Sequence, residues 1–188
     1  MALWGTSDSD ESKPKNLTTT EKKEVFATAS GWVREAGSAF SGNGNTDADP
    51  EVLVAVSGLA VSLGAADITE IEFITQSFDK SDGGTLQVRV RFNEAVDVTG
   101  TPQLTVVNDT NANHTLSYAS GTGSNKLLFS LTIAANNAAT DADDVLSIGT
   151  NAMALNGGTV KDKGTNTAST ITNIASIGAA AGTITVEA

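Results

Sequence analysis

The side chains of this chain that could do chemistry are one histidine and a few groups of carboxylates. His114 is the only histidine among the 188 residues, and no cysteine occurs. A catalytic triad or a histidine metal site needs further groups around the imidazole, and the polar stretch 111–115 does not provide them. We therefore expect His114 to be a solvated loop or edge-strand residue, and we predict a protein that is not an enzyme and has no catalytic residue.

Within residues 67–188, carboxylates are densest at Asp141, Asp143 and Asp144. Aspartate oxygens suit calcium, but this spacing does not follow the EF-hand loop. A solvated acidic loop is therefore the expectation, with weak calcium binding as the alternative. Glu70 and Glu72 share one face of a strand, which we interpret as the solvent side. The sequence thus predicts no metal site and no cofactor.

Composition excludes two classes of partner. The formal net charge is -11, which repels the phosphates of nucleic acids and the head groups of anionic lipids. The longest weakly apolar run, residues 52–66, is too short and too mixed to cross a bilayer. Residues 1–15 contain no apolar stretch typical of a signal peptide, so we expect a protein made and kept, or assembled, in a cytoplasm.

From residue 67 onward the apolar pattern is that of β-strands. Apolar side chains alternate strictly with polar ones over 86–92, which predicts a strand with one buried face. A return strand over 127–133 should lie opposite or beside it. We expect these inward-facing residues: Leu86, Val88, Val90, Phe92, Leu127, Phe129, Leu131 and Ile133. Seven or eight such strands favour an all-β fold, a two-sheet sandwich over residues 67–188.

Residues 1–66 differ from the rest and are expected to form an extended N-terminal arm. The first 16 residues are polar, and the stretch 41–50 is rich in Gly, Asn and Asp. Thr18 and Glu21 fit a helix capping box, followed by two helical turns over 21–28 or by a strand from Val25. We expect the arm to be too polar to bury a core of its own.

Three aromatic residues of this arm are the predicted partner-binding residues: Trp4, Phe26 and Trp32. Tryptophan is favoured at the centre of protein interfaces. The neighbours of Trp4 cannot build a core, so a partner should bury it. For Trp32, burial in a small core of its own and burial by a partner are both open.

Several motifs occur in the order seen in a known family. They are 88–96 (VRVRFNEAV), 98–104 (VTGTPQL), 118–123 (YASGTG) with Leu128-Phe129, and 154–162 (ALNGGTVKD). Residues 67–169 therefore resemble the bacterial Ig-like repeats of large surface proteins and adhesins. The resemblance implies an Ig-like β-sandwich of about seven strands without catalysis, and it leaves a bacterial cell-surface adhesion or carbohydrate-binding module as one alternative.

A second resemblance involves the N-terminus. Residues 1–5 (MALWG), 13–15 (KPK), 21–23 (EKK), 25–28 (VFAT), 31–33 (GWV) and 53–56 (LVAV) are similar to small virion proteins of large contractile-tailed phages, notably cyanobacterial ones. It implies a virion structural protein on the outer particle surface, most simply a capsid decoration or cement protein. The implied partners are the major capsid protein or other virion proteins, in many copies, and a host surface glycan. A tail or fibre component is the other alternative.

Overall fold

The structure is a computed structural model that describes residues 13–188, and its regular elements are predominantly β-strands. The predicted all-β class is confirmed. Residues 13–66, called here the N-terminal unit, contain α1 (Thr19–Lys22), β1 (Val25–Thr28), β2 (Gly31–Arg34), β3 (Glu51–Ala55) and α2 (Leu59–Ser62). The three strands form an antiparallel sheet in the order β1-β2-β3.

The predicted capping box is present at the start of α1. The Thr18 hydroxyl accepts a hydrogen bond from the Glu21 backbone N–H at 3.3 Å, and the Glu21 carboxylate accepts one from the Thr18 N–H at 2.9 Å. The helix ends at Lys22, and β1 begins at Val25. The strand alternative for residues 25–28 is therefore the correct one.

Ten further strands follow the N-terminal unit within the described residues. They are β4 (Ile68–Phe73), β5 (Phe78–Asp79), β6 (Gly84–Thr99), β7 (Gln103–Asn108), β8 (His114–Ser120), β9 (Ser124–Ile133), β10 (Val145–Ser147), β11 (Met153–Ala154), β12 (Thr159–Asp162) and β13 (Thr183–Glu187), with α3 (Ala175–Ala180) before the last. The expectation of about seven was too low. Strands as short as β5 and β11 are too brief to show any alternation in the sequence.

Strand pairing follows the order β3-β2-β1-β6-β9-β8-β7-β10-β13-β5, and β4 and β12 also pair with β6, while β11 pairs with β7. β8 pairs with β7 through its first residues and with β9 through its last ones. The sheet therefore continues without a break from the β4-β6-β9-β8 group to the β7-β10-β13 group. β5 and β13 pair in parallel.

One large core lies between these groups, and the predicted alternation in β6 is confirmed. Leu86, Val88, Val90 and Phe92 are at most 1% exposed. They lie beside the inward residues of β9, with Val88 opposite Phe129 and Val90 opposite Leu127. Leu131 is only partly buried and packs against the edge of this core.

A second, smaller core lies inside the N-terminal unit. Its buried members are Val25, Ala27, Trp32, Leu59 and Leu63, with Leu17, Leu53, Val54 and Val56 packed against them. The prediction of an extended arm without a core of its own was therefore wrong for residues 13–66. Each apolar run there is too short to build a core alone, but three strands and α2 combine their apolar side chains in one place.

Candidate partner-binding site

The three predicted partner-binding aromatic residues differ in where they lie. Trp4 lies outside the described residues. Trp32 is 1% exposed and belongs to the small core, which is the first of its two alternatives. Phe26 is 8% exposed and is not a member of either core. It lies next to Ala27 on β1, so successive side chains of this strand point to opposite faces and Phe26 faces away from the small core.

Phe26 faces a cavity between the N-terminal unit and β6. The cavity has a volume of about 490 Å³. It is lined by Phe26, Thr28, Ala29, Pro50, Ala60, Val61, Glu94, Ala95, Gly123, Ser124, Lys163 and Gly164. A mostly apolar cavity with a few polar groups is the usual form of a binding site.

The cavity lies beside an irregularity in β6, where Glu94 and Ala95 belong to its lining. The register between β6 and β9 shifts between Arg91 and Val96, and in that interval Ala27 of β1 pairs in parallel with Glu94. Residues 90–94 are all buried, because the core covers one face and the N-terminal unit covers the other. The only sequence signal is the polar pair Asn93-Glu94 inside a strand, and alternation alone does not reveal what covers the second face.

Buried charges join the N-terminal unit to the rest of the chain. Glu35, directly after β2, is 6% exposed and accepts hydrogen bonds from Arg91 at 2.6 Å. Asn125 and Lys126 each donate to the same carboxylate at 2.9 Å. Burial raises the pKa of Glu35, but the Arg91 charge and the hydrogen bonds from Lys126 and Asn125 outweigh it, so its pKa lies below the ordinary value.

Glu70 belongs to the same group of charges. Lys23 donates to it at 2.6 Å, and Arg91 lies 3.3 Å from its other oxygen. Glu70 is 9% exposed, and Arg91 is 7% exposed. The expectation that Glu70 lies on a solvent-facing surface was therefore wrong, because the N-terminal unit covers this part of β4 and β6. Glu72 is half-buried and pairs with Arg89 at 3.1 Å.

His114 is buried at the start of β8, contrary to the expectation of a solvated residue. Its Nε2 lies 3.3 Å from the Thr140 hydroxyl. Burial lowers the pKa of His114, and the nearby charge of Asp144 opposes this only in part. The imidazole thus fills a structural position under the 134–144 loop.

The acidic loop is organised around one buried carboxylate rather than solvated throughout. Asp144 is 2% exposed. It accepts hydrogen bonds from Asn108 at 2.7 Å, from the Asp141 backbone N–H at 2.8 Å, from Asn111 at 3.1 Å and from the Thr110 hydroxyl. Burial raises its pKa, but these hydrogen bonds hold the pKa well below its usual range.

Metal ligands are not grouped in the described residues. No set of three or more His, Asp or Glu side chains within residues 13–188 is placed to hold a metal ion. Asp141 pairs with Lys80 at 2.6 Å, and Asp143 is exposed. The Asp144 oxygens already accept hydrogen bonds from protein donors.

Neither a membrane-spanning helix in the described residues nor a known relative indicates a function for this chain. None of the helices within residues 13–188 has the length and apolar character needed to cross a membrane. Comparison of the chain with protein-family models, curated proteins and solved structures finds no match.

Proposed function

We propose that this chain is a non-enzymatic structural protein of a phage virion, a decoration or cement protein. Its N-terminal unit attaches to the major capsid protein or another virion protein, and an Ig-like domain projects outward. The observation that carries the proposal is the apolar cavity at Phe26, which opens between the two parts of the molecule.

The Ig-like assignment is supported by the strand order. Ig domains have four strands in the order A-B-E-D in one sheet and three in the order C-F-G in the other. The orders β4-β6-β9-β8 and β7-β10-β13 correspond to these if the strands are lettered along the chain. β5, β11 and β12 are additions to that plan.

The attachment role of the N-terminal unit is supported by its surface. Val61 lines the cavity and is 61% exposed, although it is a large apolar residue. Pro50 and Ala29 of the same unit also line the cavity and are exposed. A partner side chain that enters the cavity would bury this apolar surface, which is how interface anchors contribute most of their affinity.

The test uses the full chain, because residues 67–188 alone would expose Arg91, Glu70 and Glu94. Virus particles that lack this protein are incubated with the wild-type chain, with Val61→Lys and with the control Ile174→Lys. Ile174 does not line this cavity, and at 67% exposed it matches Val61 in exposure and chemistry.

We expect Val61→Lys to lose at least about tenfold in affinity for particles, which corresponds to about 1.4 kcal/mol. Ile174→Lys should bind like the wild type. Equal binding of all three chains would remove the cavity from the attachment surface. Binding to host cells but not to particles would contradict the virion assignment.

A further inference from the structure

Strand β3 is an open edge of the sheet. Among the described residues it pairs with β2 on one side and with no strand on the other. It has five residues, whereas β5 at the opposite end of the order has two. An open edge presents backbone N–H and C=O groups that another extended chain can pair with.

The geometry of β3 shows which backbone groups face outward. The Val56 N–H donates to the Ser30 carbonyl at 3.0 Å, and Gly31 is the register partner of Ala55. Backbone groups of successive residues in a strand point to opposite sides. The N–H and C=O of Ala55 therefore point away from β2, toward the open edge.

The side chains of this edge do not protect it. Lys and Pro commonly block edge strands, but β3 itself contains neither, and Val52 is 52% exposed. The register changes from Trp32–Val54 to Val33–Val52, which leaves Leu53 without a register partner and marks a bulge in β3 itself. The register with β2 is regular at the C-terminal end of β3, around Ala55. This end is therefore a part of the edge where another strand can pair regularly.

Acidic side chains beside β3 indicate the charge of a segment that would pair with this edge. Asp47, Asp49 and Glu51 occupy alternate positions just before the apolar part of β3, and all three are exposed. Glu51 pairs with Arg34 at 3.2 Å, whereas no hydrogen bond or ion pair of the Asp47 or Asp49 carboxylate is present among the described residues. An extended segment with apolar residues beside basic ones would complement this edge.

We propose that β3 accepts an extended, apolar and basic segment of another virion protein by strand addition. This inference rests on the proposed function and names the chemistry of the attached partner. A second copy of the chain fits less well, because two chains of net charge -11 repel each other and each brings the same acidic residues to the edge.

The experiment measures amide hydrogen exchange of the full chain by NMR with two peptide probes. Both probes alternate valine and threonine, and one ends in a run of lysines and the other in a run of glutamates. We expect the lysine probe to slow exchange of the Ala55 amide by about tenfold or more, since pairing removes this N–H from water. The glutamate probe should have no effect.

Two sets of variants locate the effect. Ala55→Pro removes the outward N–H without removing a bond to β2, so it should abolish binding of the lysine probe, measured by the shifts of the neighbouring Val54 and Val56 amide signals, while Ala55→Thr should keep it. Reversing the charge with Asp47→Lys and Asp49→Lys should transfer the response to the glutamate probe. Circular dichroism verifies that each variant is folded.

Four results would overturn the inference. They are no protection by the lysine probe, lysine-probe binding that Ala55→Pro retains, an Ala55 amide already protected in the free chain, and a dimer in sedimentation that Ala55→Pro dissociates. The last two would assign the edge to the chain's own segment or to a second copy. If Ala55→Pro still binds particles like the wild type while Val61→Lys does not, the edge inference fails and the proposed function stands. If the probe binds but no chain binds particles, strand addition at β3 stands, whereas the proposed function and the virion origin of the partner fail.

Discussion

At the scale of single residues, Phe129 is the best test of the main core. Its ring is fully buried opposite Val88 and meets Tyr118 edge-on, with ring centroids 6.1 Å apart. Phe129→Ala should lower the free energy of unfolding by about 3–5 kcal/mol, because it leaves a cavity among rigid neighbours. Denaturant unfolding measures this, with the exposed Thr132→Ala as control. A loss below about 1 kcal/mol would place Phe129 outside the effective core.

Glu35 should make stability depend on pH. Its pKa is lower in the folded chain than the ordinary 4.5, so the folded state binds fewer protons below that value. The stabilisation is present above the ordinary pKa and is lost as the pH falls through the folded pKa. Glu35→Gln should therefore flatten the decline of stability in acid.

The same variant should cost about 1.5–3 kcal/mol at neutral pH, because Arg91 and Lys126 lose a charged acceptor. Urea unfolding over a series of pH values measures both effects. The exposed Glu187→Gln serves as the control. An acid decline as steep in Glu35→Gln as in the wild type would show that other carboxylates cause it.

At the scale of elements, Gly31 decides whether β1, β2 and β3 can pair. Its φ is 129°, and a Cβ there would lie 2.0 Å from the Val54 carbonyl oxygen. Gly42 also has a positive φ, 69°, but no atom lies within 4 Å of its added Cβ. Substitution of Gly42 would therefore test backbone strain alone, whereas substitution of Gly31 would test backbone strain together with a steric clash.

Gly31→Ala should destabilise the N-terminal unit by more than about 3 kcal/mol, whereas Gly42→Ala should cost about 1–2 kcal/mol. Trp32 fluorescence in a Trp4→Phe background reports the unit directly, since Trp32 lies in the small core. Equal costs would mean that β3 can move away from Gly31 without loss of structure.

The strands that the sequence predicts are those with long alternation, as in β6 and β9. The residues on their inward faces can be predicted from the alternation of apolar and polar side chains, because successive side chains point to opposite faces and only one face is buried in the core. The expectation of a solvent-facing Glu70 was wrong because its side of the sheet is covered by residues from a distant part of the chain. The sequence predicts Phe26 as a partner-binding residue, and Phe26 does line the cavity. Val61 and Glu94 line the same cavity but were not predicted, because no local pattern marks a cavity formed between separate elements.

At the scale of the whole molecule, we expect stability to be independent of divalent metal ions. Asp144 already accepts hydrogen bonds from four groups of the protein, and Asp141 pairs with Lys80. The melting temperature should be the same in a chelator and in calcium, as differential scanning calorimetry would measure. A drop of several degrees in the chelator would contradict this and restore the calcium alternative for the 141–144 loop.

The hydrogen bonds of Glu35 also constrain the order in which parts of the chain can fold during synthesis. Glu35 leaves the ribosome 56 residues before Arg91 and 90 residues before Asn125. During synthesis, the Glu35 carboxylate can therefore be buried with its partners only after β6 and β9 have been made. Because native contacts so distant in sequence slow folding, refolding should take milliseconds to seconds rather than microseconds. The N-terminal unit should therefore reach its final position only after β6 and β9 have been made.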